Sequence, residues 1–279
     1  MKVGIIGLGL IGGSLGLDLR CQGFEVLGVS RREKTCNLAL ERGVVDKSST
    51  SFSLLKEADV VFICTPIEAI APTIERLIPH ITPQTIITDV GSVKASVVES
   101  CSLLWDNFVG GHPMAGTAEQ GIEAAQKDLF AGAPYVFTPT ESTPTESLNK
   151  VEQLARSLEA RIYICSPSAH DRAVALISHL PVMVSASLID ACESEIEPEV
   201  LQLARSFASS GFRDTSRVGG GNPELGVMMA KYNRQELLRS LSQYRQSLDK
   251  LIDIIDREDW ETLEAILSST RTARPRFLS

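Results

Sequence analysis

The residue best suited to acid-base chemistry is His112, set in Gly110-Gly111-His112-Pro113-Met114-Ala115-Gly116. An imidazole titrates near neutrality, so it can take a proton from a hydroxyl as hydride leaves the adjoining carbon, without help from a metal. The two preceding glycines leave room for a substrate, and Pro113 stiffens the chain beyond. A structural histidine is the other reading of the same position. A second block, Asp89-Val90-Gly91-Ser92-Val93-Lys94, also follows an apolar strand. Its Ser92 hydroxyl either touches a ligand or caps a helix starting near Val93.

A third block reads as a cofactor loop. Gly7-Leu8-Gly9-Leu10-Ile11-Gly12 follows a strand and opens a helix, the context that makes a glycine pattern informative. Gly7 permits a tight turn, Gly9 lets the backbone approach a pyrophosphate, and Gly12 lets the helix pack closely with its first amides facing the phosphates. Leu8, Leu10 and Ile11 complete the loop, and Cys64, Thr65 and Pro66, where the third apolar strand ends, are expected to join it. A carboxylate at the end of the second strand would hold a free ribose 2'-hydroxyl. That strand ends instead in Ser30-Arg31-Arg32. Guanidinium groups pair bidentately with phosphate, so the cofactor is read as NADP; otherwise Arg31 and Arg32 merely start a solvated helix.

These blocks need a sheet to hold them. Short apolar runs at residues 3–7, 25–30, 60–64, 85–89, 108–111, 135–138 and 162–165 alternate with helical patterns at 14–22, 33–42, 67–78, 93–104 and 145–159. Such alternation predicts an α/β fold: a doubly wound Rossmann-type domain, with ligands beyond the carboxyl ends of its strands. After Ser166-Pro167 only helical periodicity remains, at 168–192, 199–209, 224–232, 234–255 and 259–268. The expected domains are therefore residues 1–166, binding the dinucleotide, and 167–279, an all-α domain for substrate and dimerisation. Leu237, Leu241, Tyr244, Leu248, Leu251 and Ile255 form a coiled-coil-like stripe, covered either by the same chain or by a second subunit. The tail from residue 271 reads as loosely ordered.

With 279 residues, 43% of them hydrophobic and 22% charged, the chain can bury a substantial core. A net charge of -8 offers no basic face for nucleic acid. The 6 cysteines lack any C-x-x-C pair and read as reduced thiols, so no metal is expected. Lys2-Val3-Gly4-Ile5-Ile6 enters the strand pattern without a secretory signal before it, which reads as cytoplasmic. The apolar run 173–189 contains His179, Pro181 and serines; it is expected to be a buried helix and not a membrane span.

Taken in order, Gly7 to Gly12, Asp89 to Lys94, Gly111 to Gly116 and Ser178-His179-Leu180-Pro181 resemble the arogenate/prephenate dehydrogenase family across essentially the whole chain. The resemblance implies oxidative decarboxylation of arogenate, or of its keto counterpart prephenate, on the pathway to tyrosine. It also implies a homodimer through the helical domain, with the active site between the two domains. His112 and Ser92 would be catalytic, His112 accepting the ring hydroxyl's proton. His179 and Arg217 would bind substrate, Arg217 gripping a carboxylate. By itself, His179 in an apolar helix reads as a buried histidine bonded to backbone. Many members have a second histidine where this chain has Val182. Arogenate with NADP is the form that the two-domain layout and the Arg31-Arg32 strand end most resemble. A hydroxy-acid or imine reductase would more naturally use a helical-domain lysine, and Lys231 and Lys250 lie in no such pattern; a non-catalytic NADP-binding regulator is the remaining class. Loss of turnover with retained NADP binding in His112→Ala separates the enzyme from the regulator.

Overall fold

Apolar β-branched runs such as Val60-Val61-Phe62-Ile63 have nowhere to go but the middle of a sheet covered on both faces. A computed structural model, describing residues 1–117 and 119–278, places them there. In chain order the first elements are β1 Lys2–Ile6, α1 Leu10–Cys21, β2 Glu25–Val29, α2 Glu33–Glu41, β3 Lys47–Ser49, β4 Val60–Ile63, α3 Ile70–Leu77, β5 Ile86–Asp89 and α4 Ala95–Leu104. They are followed by β6 Phe108–Pro113, β7 Pro134–Thr138, α5 Thr145–Ser157 and β8 Arg161–Ile164. The strands form one sheet in the order β3-β2-β1-β4-β5-β6-β7-β8. Neighbours are parallel from β3 to β6 and again between β7 and β8, while β6 and β7 are antiparallel. Two apolar layers, one around Leu15, Leu19 and Phe137 and the other around Leu55, Ile74 and Val98, cover the two faces. The order reverses between β1 and β4, where an open α/β sheet binds its ligand.

Two details differ from the sequence reading. β3 was not expected: its Lys-Ser-Ser run has no apolar signal, and it survives by pairing with β2 at the sheet edge. β6 continues through His112 to Pro113, because β7 pairs with Gly110 to Pro113. His112 is thus a strand residue opposite Val136 and not part of a loop beyond the strand.

The last strand ends at Ile164, so the sheet gives way to helices at residue 166: α6 Pro167–Val174, a π-helical turn at Ala175–His179, α7 Leu180–Glu193, α8 Pro198–Phe207, α9 Ser210–Ser216 and α10 Pro223–Tyr232. By compactness the chain divides further on, into Met1–Asn233 and Arg234–Ser279. The second unit is a helical pair, α11 Arg234–Asp256 and α12 Trp260–Ala273, continued by a 3-10 turn at Arg274–Phe277. Asp259 caps α12 by accepting from the Thr262 amide at 3.0 Å. The tail is therefore helical through Phe277, and Ser279 lies outside the described residues. Along the α11 stripe Leu237 is buried, Leu241 and Leu251 are half-buried, and Tyr244, Leu248 and Ile255 are exposed.

The run 173–189 is not the buried helix the sequence suggested. Leu176 is 44% and Ile177 56% exposed, and most of α7 is half-buried. Only the side bearing His170, Val174, Ala175, His179 and Ser185 packs inward, because apolar residues lie all round this helix and one chain covers one side. Pro167–Glu193 is long and apolar enough to cross a membrane by length and composition, yet it carries His170, Asp171 and His179 into the unit's interior.

The strand carrying His112 tolerates no added bulk at its start. A Cβ on Gly110 would lie 2.5 Å from Thr138 Oγ1 and 2.5 Å from Val98 Cγ2. Gly110→Ala is expected to lower stability by about 1–3 kcal/mol through overpacking, read from the urea midpoint; an unchanged midpoint contradicts this packing.

Candidate active site

The glycine loop is shaped by close approach. Gly7 has φ +99°, and a Cβ there would meet the Cys64 carbonyl oxygen at 2.4 Å; a Cβ on Gly12 would lie 2.0 Å from the Gly7 carbonyl oxygen. At Gly9, by contrast, an added Cβ meets nothing within 4 Å. This leaves the open approach a pyrophosphate requires, at the N-terminus of a helix with no side-chain cap. Leu8 is buried in the core and Ile11 packs against it, so these two present backbone to the crevice; Leu10 is half-buried. Cys64-Thr65-Pro66 follows β4 across the reversal of strand order. Among the described residues the buried Thr65 hydroxyl has no hydrogen-bond partner, and a ligand oxygen suits it. Burial, then the charge of Asp89, pushes the Cys64 thiol far up, so it stays neutral. Ser30 is half-buried, and Arg31 and Arg32 are exposed and unpaired among the described residues. The set fits a nicotinamide dinucleotide.

Around His112 the structure is dense with polar contacts. Lys94 and Asp89 are fully buried and form an ion pair. The Lys94 ammonium also donates to the Gly111 carbonyl at 2.7 Å, while Asp89 accepts from the Gly91 amide at 2.8 Å and the Gly111 amide at 3.2 Å. One carboxylate and one ammonium thereby clamp the Ser92 loop to the strand carrying His112. Ser92 is half-buried and does not cap the next helix, which begins only at Ala95. Asp171 caps it instead, accepting from the Lys94 amide at 2.7 Å and the Ala95 amide at 2.8 Å. A carboxylate there satisfies two orphan amides and complements the helix dipole.

Three of the chain's 4 histidines converge here. His112 Nδ1 lies 2.8 Å from His170 Nε2, and His170 Nδ1 lies 2.8 Å from Asp171 Oδ1. The Asn233 amide nitrogen donates to the Asp171 carbonyl at 2.8 Å and lies 3.2 Å from His179 Nδ1. Since that nitrogen donates, His179 Nδ1 accepts and its proton sits on Nε2, which is buried with no partner among the described residues. The π-helical turn that ends at His179 is the kind of irregularity that often marks function. Burial, with His170, Lys94 and His179 nearby, holds His112 well below the ordinary histidine value. Burial likewise takes His179 down to about 4, against the pull of Asp171. Both rings are neutral near pH 7, and a neutral imidazole is what a proton acceptor must be.

Sequence reasoning singled out His112, Ser92 and His179, and the fold brings the first and last to one cluster. Arg217 caps α9 as an exposed residue, with no carboxylate partner among the described residues. The Gly219 amide two residues on donates to Ser185 on α7 at 2.8 Å. His170, Asp171 and Asn233 were missed. Scarcity was the available signal: a chain with 4 histidines places none idly inside an apolar helical domain.

Comparisons with known proteins bear on the fold and the family. The model of the prephenate dehydrogenase nucleotide-binding domain matches residues 15–164, and that of the prephenate dehydrogenase dimerization domain matches residues 166–269. Prephenate dehydrogenase of Bacillus subtilis is 34% identical over 266 residues, covering 93% of this chain and 71% of that protein. The crystal structure of Synechocystis arogenate dehydrogenase is 54% identical, covers 99% of this chain and 100% of its own, and superposes with a TM-score of 0.91. Prephenate dehydrogenase from A. aeolicus, in complex with hydroxyphenyl propionate and NAD+, is 27% identical with a TM-score of 0.93, covering 99% and 98%.

The lowered histidines link stability to pH. Between 6.5 and about 4 the unfolded chain binds a proton at His179 that the folded chain refuses, so stability present above pH 6.5 falls as pH drops. The unfolding midpoint is expected to fall from pH 6.5 to 4.5, by up to about 1.4 kcal/mol per pH unit for each such histidine. His179→Gln removes part of that slope; an identical slope in the variant contradicts the assignment.

Proposed function

Because the chain belongs to the arogenate/prephenate dehydrogenase family, we propose that it converts L-arogenate to L-tyrosine with reduction of NADP and release of carbon dioxide. The observation that carries this reading is His112, buried and neutral, engaged through Nδ1 and with Nε2 unbonded among the described residues. It lies on the sheet edge where the glycine loop and Ser92 also lie.

The loop from Gly7 to Gly12, Cys64 to Pro66 and, at the 2'-phosphate, Arg31 and Arg32 would hold NADP, which when bound would supply the acceptor for the hydride leaving the carbinol carbon. His112 takes the hydroxyl proton as that carbon becomes carbonyl-like. The Ser92 hydroxyl steadies the same oxygen, so the two stabilise charge where it develops. Arg217 grips a substrate carboxylate, and the unpartnered Nε2–H of His179 donates to another substrate oxygen. Loss of carbon dioxide makes the ring aromatic, which renders the reaction effectively irreversible. The enzyme's work is chiefly orientation and timely proton removal.

The 54% identity to Synechocystis arogenate dehydrogenase and the Ser30-Arg31-Arg32 strand end favour arogenate and NADP. A second reading, prephenate with NAD, is favoured by the similarity to B. subtilis prephenate dehydrogenase and by the NAD+ bound in the A. aeolicus structure. We read the protein as a cytoplasmic homodimer, the exposed Tyr244, Leu248 and Ile255 being the stripe that a second copy would cover. Nucleic acid and membranes have no part in this reading.

The test is absorbance of reduced nicotinamide with arogenate or prephenate, each paired with NADP or NAD. Rapid reduction is expected with arogenate and NADP, and His112→Asn is expected to lower kcat by about 100-fold or more while NADP still binds. Equal rates with prephenate or NAD overturn the specificity; no turnover in any pairing overturns the enzyme assignment.

A further inference from the structure

We infer that His170 and Asp171 are positioning residues that hold the proton of His112 on Nδ1 and so leave its Nε2 lone pair free as the proton acceptor. Two backbone amides, those of Lys94 and Ala95, point at the Asp171 carboxylate, one to each oxygen. Amides only donate, and they stand at the positive end of α4, so this carboxylate is charged and only accepts. His170 Nδ1, 2.8 Å from Asp171 Oδ1, must then carry a proton. In a neutral ring that leaves Nε2 of His170 as a bare acceptor. His112 Nδ1, 2.8 Å away, must therefore donate to it. With its one proton committed there, His112 offers Nε2 as a lone pair.

The chain of assignments begins at a helix terminus and ends at the reacting nitrogen. With a neutral His170 ring, each link has only one direction available once the link before it is fixed. Neither His170 nor Asp171 needs to touch substrate for this. When His112 Nε2 takes the hydroxyl proton, the new positive charge stays on the ring, whose Nδ1–H still donates to His170. That bond becomes charge-assisted, with the Asp171 carboxylate one ring further on. The two rings meet edge-on, centroids 5.1 Å apart at 69°. Both residues sit at the start of α6, while the amides they depend on belong to α4. The helical segment after the sheet thus sets the protonation geometry of a residue on the sheet.

The kinetic arm of the test rests on the dehydrogenase reading and the spectroscopic arm does not, which keeps their failures apart. In 15N-histidine-labelled full-length protein at pH 7.5, His112 is expected to show a protonated Nδ1 and an unprotonated Nε2. A protonated Nε2, as an imidazolium at His170 would impose, overturns the inference. In turnover assays His170→Leu is expected to lower kcat by about 30-fold or more with KM within about twofold, since proton transfer is impaired and binding is not. His170→Gln, whose amide can accept from His112 and donate to Asp171, is expected to recover at least about tenfold of that loss. Unchanged kcat in His170→Leu, or a glutamine variant no better than leucine, overturns the positioning role. If no nicotinamide is reduced by the unmodified protein, the function assignment fails and the nitrogen shifts still decide the tautomer.

Discussion

Burying an ammonium group is costly unless its charge is met and its protons find acceptors. Lys94 is fully buried, and it keeps its place because Asp89 and the Gly111 carbonyl surround the ammonium. Burial pulls its pKa down and Asp89 pulls it back up. The arrangement joins β5, the loop that carries Ser92 and the strand that carries His112 into one rigid corner of the sheet. Removing either partner strands an opposite charge in a dry interior, so the corner holds together or fails as a unit.

From that corner the rest of the site is assembled by hydrogen bonds rather than by apolar packing. Asp171 reaches from α6 to the amides of α4, and Asn233 ties the Asp171 carbonyl to His179. The α6–α10 segment therefore belongs to the same compact unit as the sheet. The dinucleotide edge is built by different means, through Gly7 and Gly12, where any side chain would strike backbone, and Gly9, which is left open. Residues 166–269 match the family's dimerization-domain model, and apolar side chains are left exposed along α11.

Much of this was legible in the sequence where chemistry and local pattern coincide. The glycine loop, the strand end at Ser30-Arg31-Arg32 and His112 among glycines each carry a spacing that a local reading can interpret. What escaped were residues whose meaning is created by contacts distant in sequence. His170 and Asp171 lie 58 and 77 residues from the partners they hold, and no local pattern marks them. Of the two readings of Ser92, ligand contact or helix cap, the cap does not hold, because the helix begins later and takes a carboxylate from elsewhere. β3 is polar and is held by pairing with β2 and by the Ser48 hydroxyl donating to the Cys36 carbonyl of α2. The apolar run after residue 173 suggested burial, yet hydropathy alone cannot say how many sides of a helix one chain covers.

The measurement that bears most directly on the account is the pH dependence of kcat/KM, followed from pH 4.5 to 8 with the best substrate and cofactor pair. A buried His112 held well below 6.5 predicts a rate that stays level as pH falls through 6.5 and drops only below it, as the free enzyme's base becomes protonated. Half the activity lost at or above pH 6.5 would contradict a neutral, buried His112 as the proton acceptor.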